Sequence, residues 1–289
     1  MALILLGSAA GAQTLPEFLA RLSEEAEVFR HVAPQVLSEE TLTQRALAAP
    51  HMHLRLGAAA NKPIEPMMQT REIISEYSFG AFQDAPESLH EFREVVSVDG
   101  RPVSSKESAR HSLALGLSST GDQAKKRMLE TFQHYGLGNA AVDFGQLLLL
   151  FTKRQIGNYQ FALAGMDRIG ADPVRVLTYR QTAGGEHMLV VAGHRAIRLP
   201  LEGRIYARIP DGLPLRITLA TERKESKHRF RDEAIVDYTP TAHGFVAPAA
   251  VTHEGYEDGQ LIVEDHFRYA PFRKFGADAA IKFSSEPVK

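Results

Sequence analysis

Twelve histidines are the first side chains in this chain of 289 residues that could do chemistry, as metal ligands or general bases. His51 and His53 stand two apart in a proline-flanked stretch, and His187 and His194 bracket an apolar run. Neither pair has a third ligand nearby in sequence, there is no H-E-x-x-H, and cysteine is absent. A zinc site, a thiol nucleophile and a disulfide therefore find no support. Gly136-Leu137-Gly138-Asn139-Ala140-Ala141 matches G-x-G-x-x-A. That fingerprint works where a strand delivers the glycines to a helix, and here a helical pattern comes first, so a helix-to-helix turn is expected. GLSSTG, Gly116 to Gly121, has neither the flanked serine of a hydrolase elbow nor the ending of a P-loop and reads as a helix break. The basic residues from Arg223 to Arg231 alternate with Glu222, Glu225, Asp232 and Glu233, and tryptophan is absent; with Lys125-Lys126-Arg127 they predict solvated faces, the longer run a solvated hairpin, and no nucleic-acid platform. No catalytic residue, metal or cofactor is expected, and the chain reads as a protein without enzymatic activity.

What remains is apolar. On a helix, the run FGQLLLLFTKR from Phe144 to Arg154 would leave Asn139, Asp143, Gln146 and Lys153 on a narrow polar stripe and bury the rest. At about 14 residues such a helix is too short for a bilayer, which needs roughly 20, so no membrane span is expected. It must fill a core or line an apolar ligand cavity. The formal net charge of -2, from 33 basic and 35 acidic residues, gives no field toward nucleic acid or acidic lipid. At the N-terminus, apolar Ala2 to Leu6 followed by Ala10-Gly11-Ala12 predicts a signal peptide over residues 1–12 and a periplasmic or secreted protein.

The elements that must position these residues follow from period and punctuation. Thr14 and Glu17 make a capping box before a helix whose apolar residues are Leu15, Phe18, Leu19, Leu22, Ala26 and Phe29. Ser38-Glu39-Glu40 predicts a second, shorter helix ending near Pro50, and 51–66 a connection. Ile73, Tyr77, Phe79 and Ala81 alternate, as do Phe92, Val96 and Val98 before the turn Asp99-Gly100, which predicts two paired strands. Between Val103 and Lys153 the period is helical. Ser104 and Glu107 form a capping box, Ala124, Met128, Phe132 and Tyr135 line one face of a later helix, and a third helix carries the apolar run.

From Ile156 onward about eight short strands follow one another, too closely for parallel crossovers. Turns are expected at Ala183-Gly184-Gly185, Pro210-Asp211-Gly212, Ala242-His243-Gly244 and Glu257-Asp258-Gly259. In GRIYARI, Ile205, Ala207 and Ile209 share the parity that faces inward, opposite Arg204, Tyr206 and Arg208.

This order of elements, together with GRIYARIPDGLPLRITL (203–219) and GFVAPAAV (244–251), resembles the LolA/LolB-like carriers of bacterial lipoproteins and their RseB-related periplasmic relatives. The resemblance implies one α+β domain over 13–289, with a helical insertion at about 103–155. Its curved antiparallel sheet would be a half-barrel of roughly 10 strands, covered by the N-terminal and inserted helices and able to hold acyl chains. Phe144, Leu147, Leu148 and Phe151 would then face Phe161, Leu177, Ile205 and Leu215 across an apolar, lipid-binding cavity. The partner expected is a lipid or the acyl chains of a lipoprotein. The alternative is an envelope interaction module with a filled core, docking a partner protein through a sheet edge or the basic hairpin.

Overall fold

The computed structural model describes residues 14–48, 66–138, 140–182, 184, 188–192 and 195–275, with backbone alone for 188–192 and 195–197. Residues 1–12, the turn residues Ala183 and Gly185, and His51, His53, His187 and His194 lie outside them. The first helix, α1 (Leu15–Val32), starts at the capping box, where the Thr14 N–H donates to the Glu17 carboxylate at 2.7 Å. It buries Phe18, Leu22, Ala26 and Phe29, as its three- and four-residue spacing predicts.

The chain continues through β1 (Val36–Ala48), β2 (Met67–Phe82), β3 (Ala85–Val98) and β4 (Arg101–Pro102), then α2 (Lys106–Ser118) and α3 (Gln123–Tyr135). An irregular segment with a 3₁₀ turn at Leu147–Phe151 leads to β5 (Tyr159–Ile169), β6 (Asp172–Gln181), β7 (Met188–Ala192), β8 (Arg195–Leu199) and β9 (Glu202–Arg208). Last come β10 (Pro214–Glu225), β11 (His228–Pro240), β12 (Val246–Glu257), β13 (Gln260–Tyr269) and β14 (Arg273–Lys274). Twelve strands make one antiparallel sheet in the order β4-β3-β2-β1-β13-β12-β11-β10-β9-β6-β5, with β14 beside β1, while β7 and β8 pair separately. The fold is α+β, and the outer strands β4 and β5 do not meet, so the sheet stays open.

Its curvature follows from reach. Gly145 bonds to Glu91 on β3, and Phe151 packs its ring 5.8 Å from Phe161 on β5. In a flat sheet those strands, nine steps apart, would be separated by about 43 Å. Six residues of chain reach about 21 Å at most, so even with side chains added the sheet must curl around the segment. α1 lies in the same hollow: Phe29 meets Phe79 of β2 and Phe245 just before β12.

Several expectations need correction. Ser38-Glu39-Glu40 begins no helix and lies in β1, a strand paired on both sides by β2 and β13. Its alternation is hidden in the sequence because Glu40 and Gln44 share the buried face with Leu42, and the polar groups find buried partners. The apolar run is not a long helix. Asp143 adopts a left-handed φ of 65°, a conformation an α-helix interior does not hold, and only Leu147–Phe151 makes a 3₁₀ turn. The glycines at 136 and 138 therefore join a helix to a loop.

In β3 a register shift opposite Ile74/Ser75 breaks the simple parity. Phe92 joins Leu113 and Met128 in a small cluster on the outer face, while Val95 and Val98 pack in the main core. Finally, the inserted helices do not both cover the inner face. α2 sits outside, with Arg110 on Glu76 at 3.0 Å, and α3 runs around the β3 edge, placing Met128 outside and Phe132 in the main core. The N-cap of α2 is Ser105, whose hydroxyl accepts the Ser108 N–H, one position later than expected. The Asp99-Gly100 turn is as predicted, both residues having positive φ, 49° and 72°.

Candidate functional site

The hollow of the sheet is the place to look, because the apolar run crosses it. Among the described residues of 140–151, Phe144, Leu147, Leu148, Leu150 and Phe151 are buried, Leu148 and Phe151 completely. Phe151 is wedged among the rings of Tyr159, Phe161 and Tyr179. Seven of the eight residues expected to line a cavity, Phe144, Leu147, Leu148, Phe151, Leu177, Ile205 and Leu215, belong to one buried cluster, and Phe161 packs against it. The fold thus brings all eight to one place. Two half-open grooves of about 460 and 520 Å³ occur elsewhere, the first bordered by Arg180, Leu201 and Thr221, the second by Arg229, Arg231 and Tyr256, and none of the eight lines either.

What holds the segment in place was not legible in its own residues. Four of its backbone N–H groups bond to side chains of the sheet. Ala141 donates to Asp265 at 2.9 Å, Asp143 and Gly145 donate to the two oxygens of Glu91 at 2.8 Å each, and Leu148 donates to the Tyr238 hydroxyl at 3.0 Å. Tyr238 in turn donates to the Gly145 carbonyl at 3.1 Å. A Cβ at Gly145 would stand 2.5 Å from a Glu91 oxygen and 3.1 Å from the Tyr77 hydroxyl, so a larger residue there would displace the clamping carboxylate. The Glu91 N–H donates back to Asp143 at 2.8 Å, so strand and segment are clamped in both directions.

Behind this clamp lies a buried ionic cluster. Arg93 donates to both oxygens of Glu40, at 2.7 and 2.8 Å, and to Glu91 at 2.8 Å, and its guanidinium lies over Tyr77, Phe132 and Phe267 at 4.7 to 5.3 Å. Tyr77 donates to Glu91 at 2.9 Å. Burial pushes the Glu40 carboxyl up, with Arg93 pulling the other way, and burial holds the Tyr77 and Tyr269 hydroxyls well above their usual range.

A second chain crosses β11, β12 and β13. His253 bridges Asp265 and Asp232 at 3.2 Å each, while Asp265 also accepts from Gln44 at 2.9 Å. Burial alone would lower the His253 pKa, but the hydrogen bonds its ring donates to the two flanking carboxylates win and raise it to about 9. Every Glu91 and Asp265 oxygen accepts a hydrogen bond, so the two carboxylates join the crossing segment to the ionic cluster and to the sheet. The signal available in the sequence was polar and charged residues on an apolar parity: Glu40 and Gln44 with Leu42, Glu91 and Arg93 with Leu89.

No protein-family model and no curated protein matches the chain. Solved structures do show similarity. A DUF1329 family protein from Desulfovibrio piger is 8% identical, with 92% of this chain and 95% of that one covered at a TM-score of 0.38. A putative outer membrane lipoprotein-sorting protein domain from Vibrio parahaemolyticus is 9% identical, with 90% and 92% covered at 0.35. A LolA superfamily protein from Nitrosomonas europaea is 10% identical, with 89% and 93% covered at 0.30. The last carries the superfamily name to which the sequence resemblance points, and at these scores the likeness says nothing of function.

Proposed function

We propose that the protein is a non-catalytic periplasmic or secreted binding protein that accommodates the acyl chain of a lipid or lipidated protein in the hollow of its sheet, when the segment 140–151 moves aside. The observation that carries this reading is the nature of the filling. The hollow is occupied by a segment without strand or α-helical bonding, tied to the sheet by a few side chains at Glu91, Asp265 and Tyr238. Its five large buried apolar side chains, Phe144, Leu147, Leu148, Leu150 and Phe151, contribute on the order of 10 kcal/mol. An acyl chain of about 14 methylenes, at roughly 0.8 kcal/mol each, offsets that loss. Exchange of one apolar occupant for another is therefore near balance, as a carrier needs.

The absence of cysteine gives a direct test, because Leu148→Cys creates a unique thiol. At a fully buried position it should resist maleimide in the ligand-free protein and react when micelles of a lysophospholipid are added, and native mass spectrometry should find lipid on the wild type. A labelling rate that micelles leave unchanged, in a protein free of lipid, would overturn the reading. One observation favours a second reading, a protein-interaction module with a permanent core: β5 is an outer strand that leaves Leu163 and Met166 exposed.

A further inference from the structure

We propose that the tips of two neighbouring hairpins form a surface site for a divalent transition-metal ion of the zinc class, ligated by His228, Glu257 and Asp258. His228 opens β11 just after the turn at Ser226 and Lys227; Glu257 ends β12, and Asp258 begins the turn to β13. Because Phe230 pairs with Glu257 across β11 and β12, the two tips lie side by side. The His228 Nδ1 stands 3.2 Å from Glu257 Oε1 and 2.8 Å from Asp258 Oδ2, and one ligand atom from each of the three lies within 4.8 Å of the others. Ligands held about 2.0 to 2.1 Å from a four-coordinate zinc ion are about 3.3 Å apart. The spacing thus lets an ion replace the shared proton with small side-chain adjustments.

The backbone prepares the site. Asp258 sits at a left-handed φ of 51°, its N–H donates to the Arg229 carbonyl at 2.7 Å, and its Oδ1 accepts the Arg229 N–H at 2.8 Å. That bond fixes the carboxylate and leaves Oδ2 for the ion, the supporting role that outer contacts play around metal ligands. Two nearby cations are engaged, Arg229 with Glu222 at 3.1 Å and Arg231 with Glu233. One imidazole with two carboxylates suits zinc, nickel or copper, whereas magnesium and calcium prefer all-oxygen sets. Solvent exposure of the three residues leaves the remaining positions to water, so the ion would staple the β10–β11 and β12–β13 tips together and would not act in catalysis.

The test is calorimetric titration of the full chain with zinc chloride after dialysis against a chelator, beside His228→Ala and Glu257→Gln. The wild type should bind and rise in thermal midpoint, and each variant, folded by circular dichroism, should lose affinity on the order of tenfold or more. Because other histidines bind zinc adventitiously, unchanged binding in both variants overturns the proposal. So does the lack of a saturable site below about 1 mM zinc, or an equal response to calcium.

Discussion

Arg93 and His253 show how single buried charges organise this hollow. A buried guanidinium costs several kcal/mol to desolvate, and here two carboxylates and three aromatic faces offset that cost. The same Glu91 that neutralises Arg93 receives two N–H groups of the crossing segment, so one side chain couples strand charge to segment position. His253 makes a comparable bridge that carries a pH signature. As imidazolium it donates to Asp232 and Asp265 together; as neutral imidazole it can donate to one of them only. With a folded pKa of about 9 against an unfolded value near 6.5, its contribution, on the order of 3 kcal/mol, is fully present below about pH 6.5 and lost as pH rises through about 9. Denaturant unfolding from pH 6 to 10 should show this decline in the wild type, and His253→Gln should flatten it. Equal slopes in the two proteins would remove His253 from the account.

At the scale of elements, the question is whether the segment 140–151 opens by itself or only when the sheet unfolds. Tyr238 distinguishes the two cases, since its hydroxyl joins the Leu148 N–H to the Gly145 carbonyl while its ring packs in the sheet core. Tyr238→Phe keeps the ring and leaves a buried N–H without its partner, at a cost of about 1 to 3 kcal/mol. If the segment is a separate unit, hydrogen exchange at Gly145 and Leu148 should accelerate about tenfold or more while amides of β1 and β12 keep their protection. Uniform acceleration would make the segment a permanent part of the core and count against the carrier reading.

The elements also differ in how legible they were. α1, the Asp99-Gly100 hairpin and the β9 parity rest on local rules, so their residues announce them. β1 does not, because its buried face carries Glu40 and Gln44, whose partners Arg93 and Asp265 lie far away in sequence. The crossing segment gave away its burial but not its conformation. Its periodicity suits a helix, yet four of its N–H groups are taken by side chains of β3, β11 and β13 that no local pattern reveals.

For the whole molecule, an open sheet has two edges, and the fold treats them differently. On one side α2 and α3 pack against β3, beside the two-residue outer strand β4, whereas among the described residues no strand lies beyond β5 and no α-helix is packed on it. From Ala162 to Arg168 every β5 residue is exposed, with Leu163 at 47% and Met166 at 63%. Unpaired backbone flanked by apolar side chains is a template for another extended segment. Two features restrain indiscriminate pairing: the register shift between Leu163 and Gly165, whose φ is 138°, and the charges of Asp167 and Arg168 just beyond. A further charge on the apolar stretch should strengthen that restraint without touching the core. Leu163→Lys and Met166→Lys should therefore each leave stability within about 0.5 kcal/mol of the wild type. Both should reduce the concentration-dependent association seen by sedimentation velocity. Identical sedimentation in wild type and variants would show that this edge mediates no self-pairing, and a large loss of stability would show that these side chains belong to the core after all.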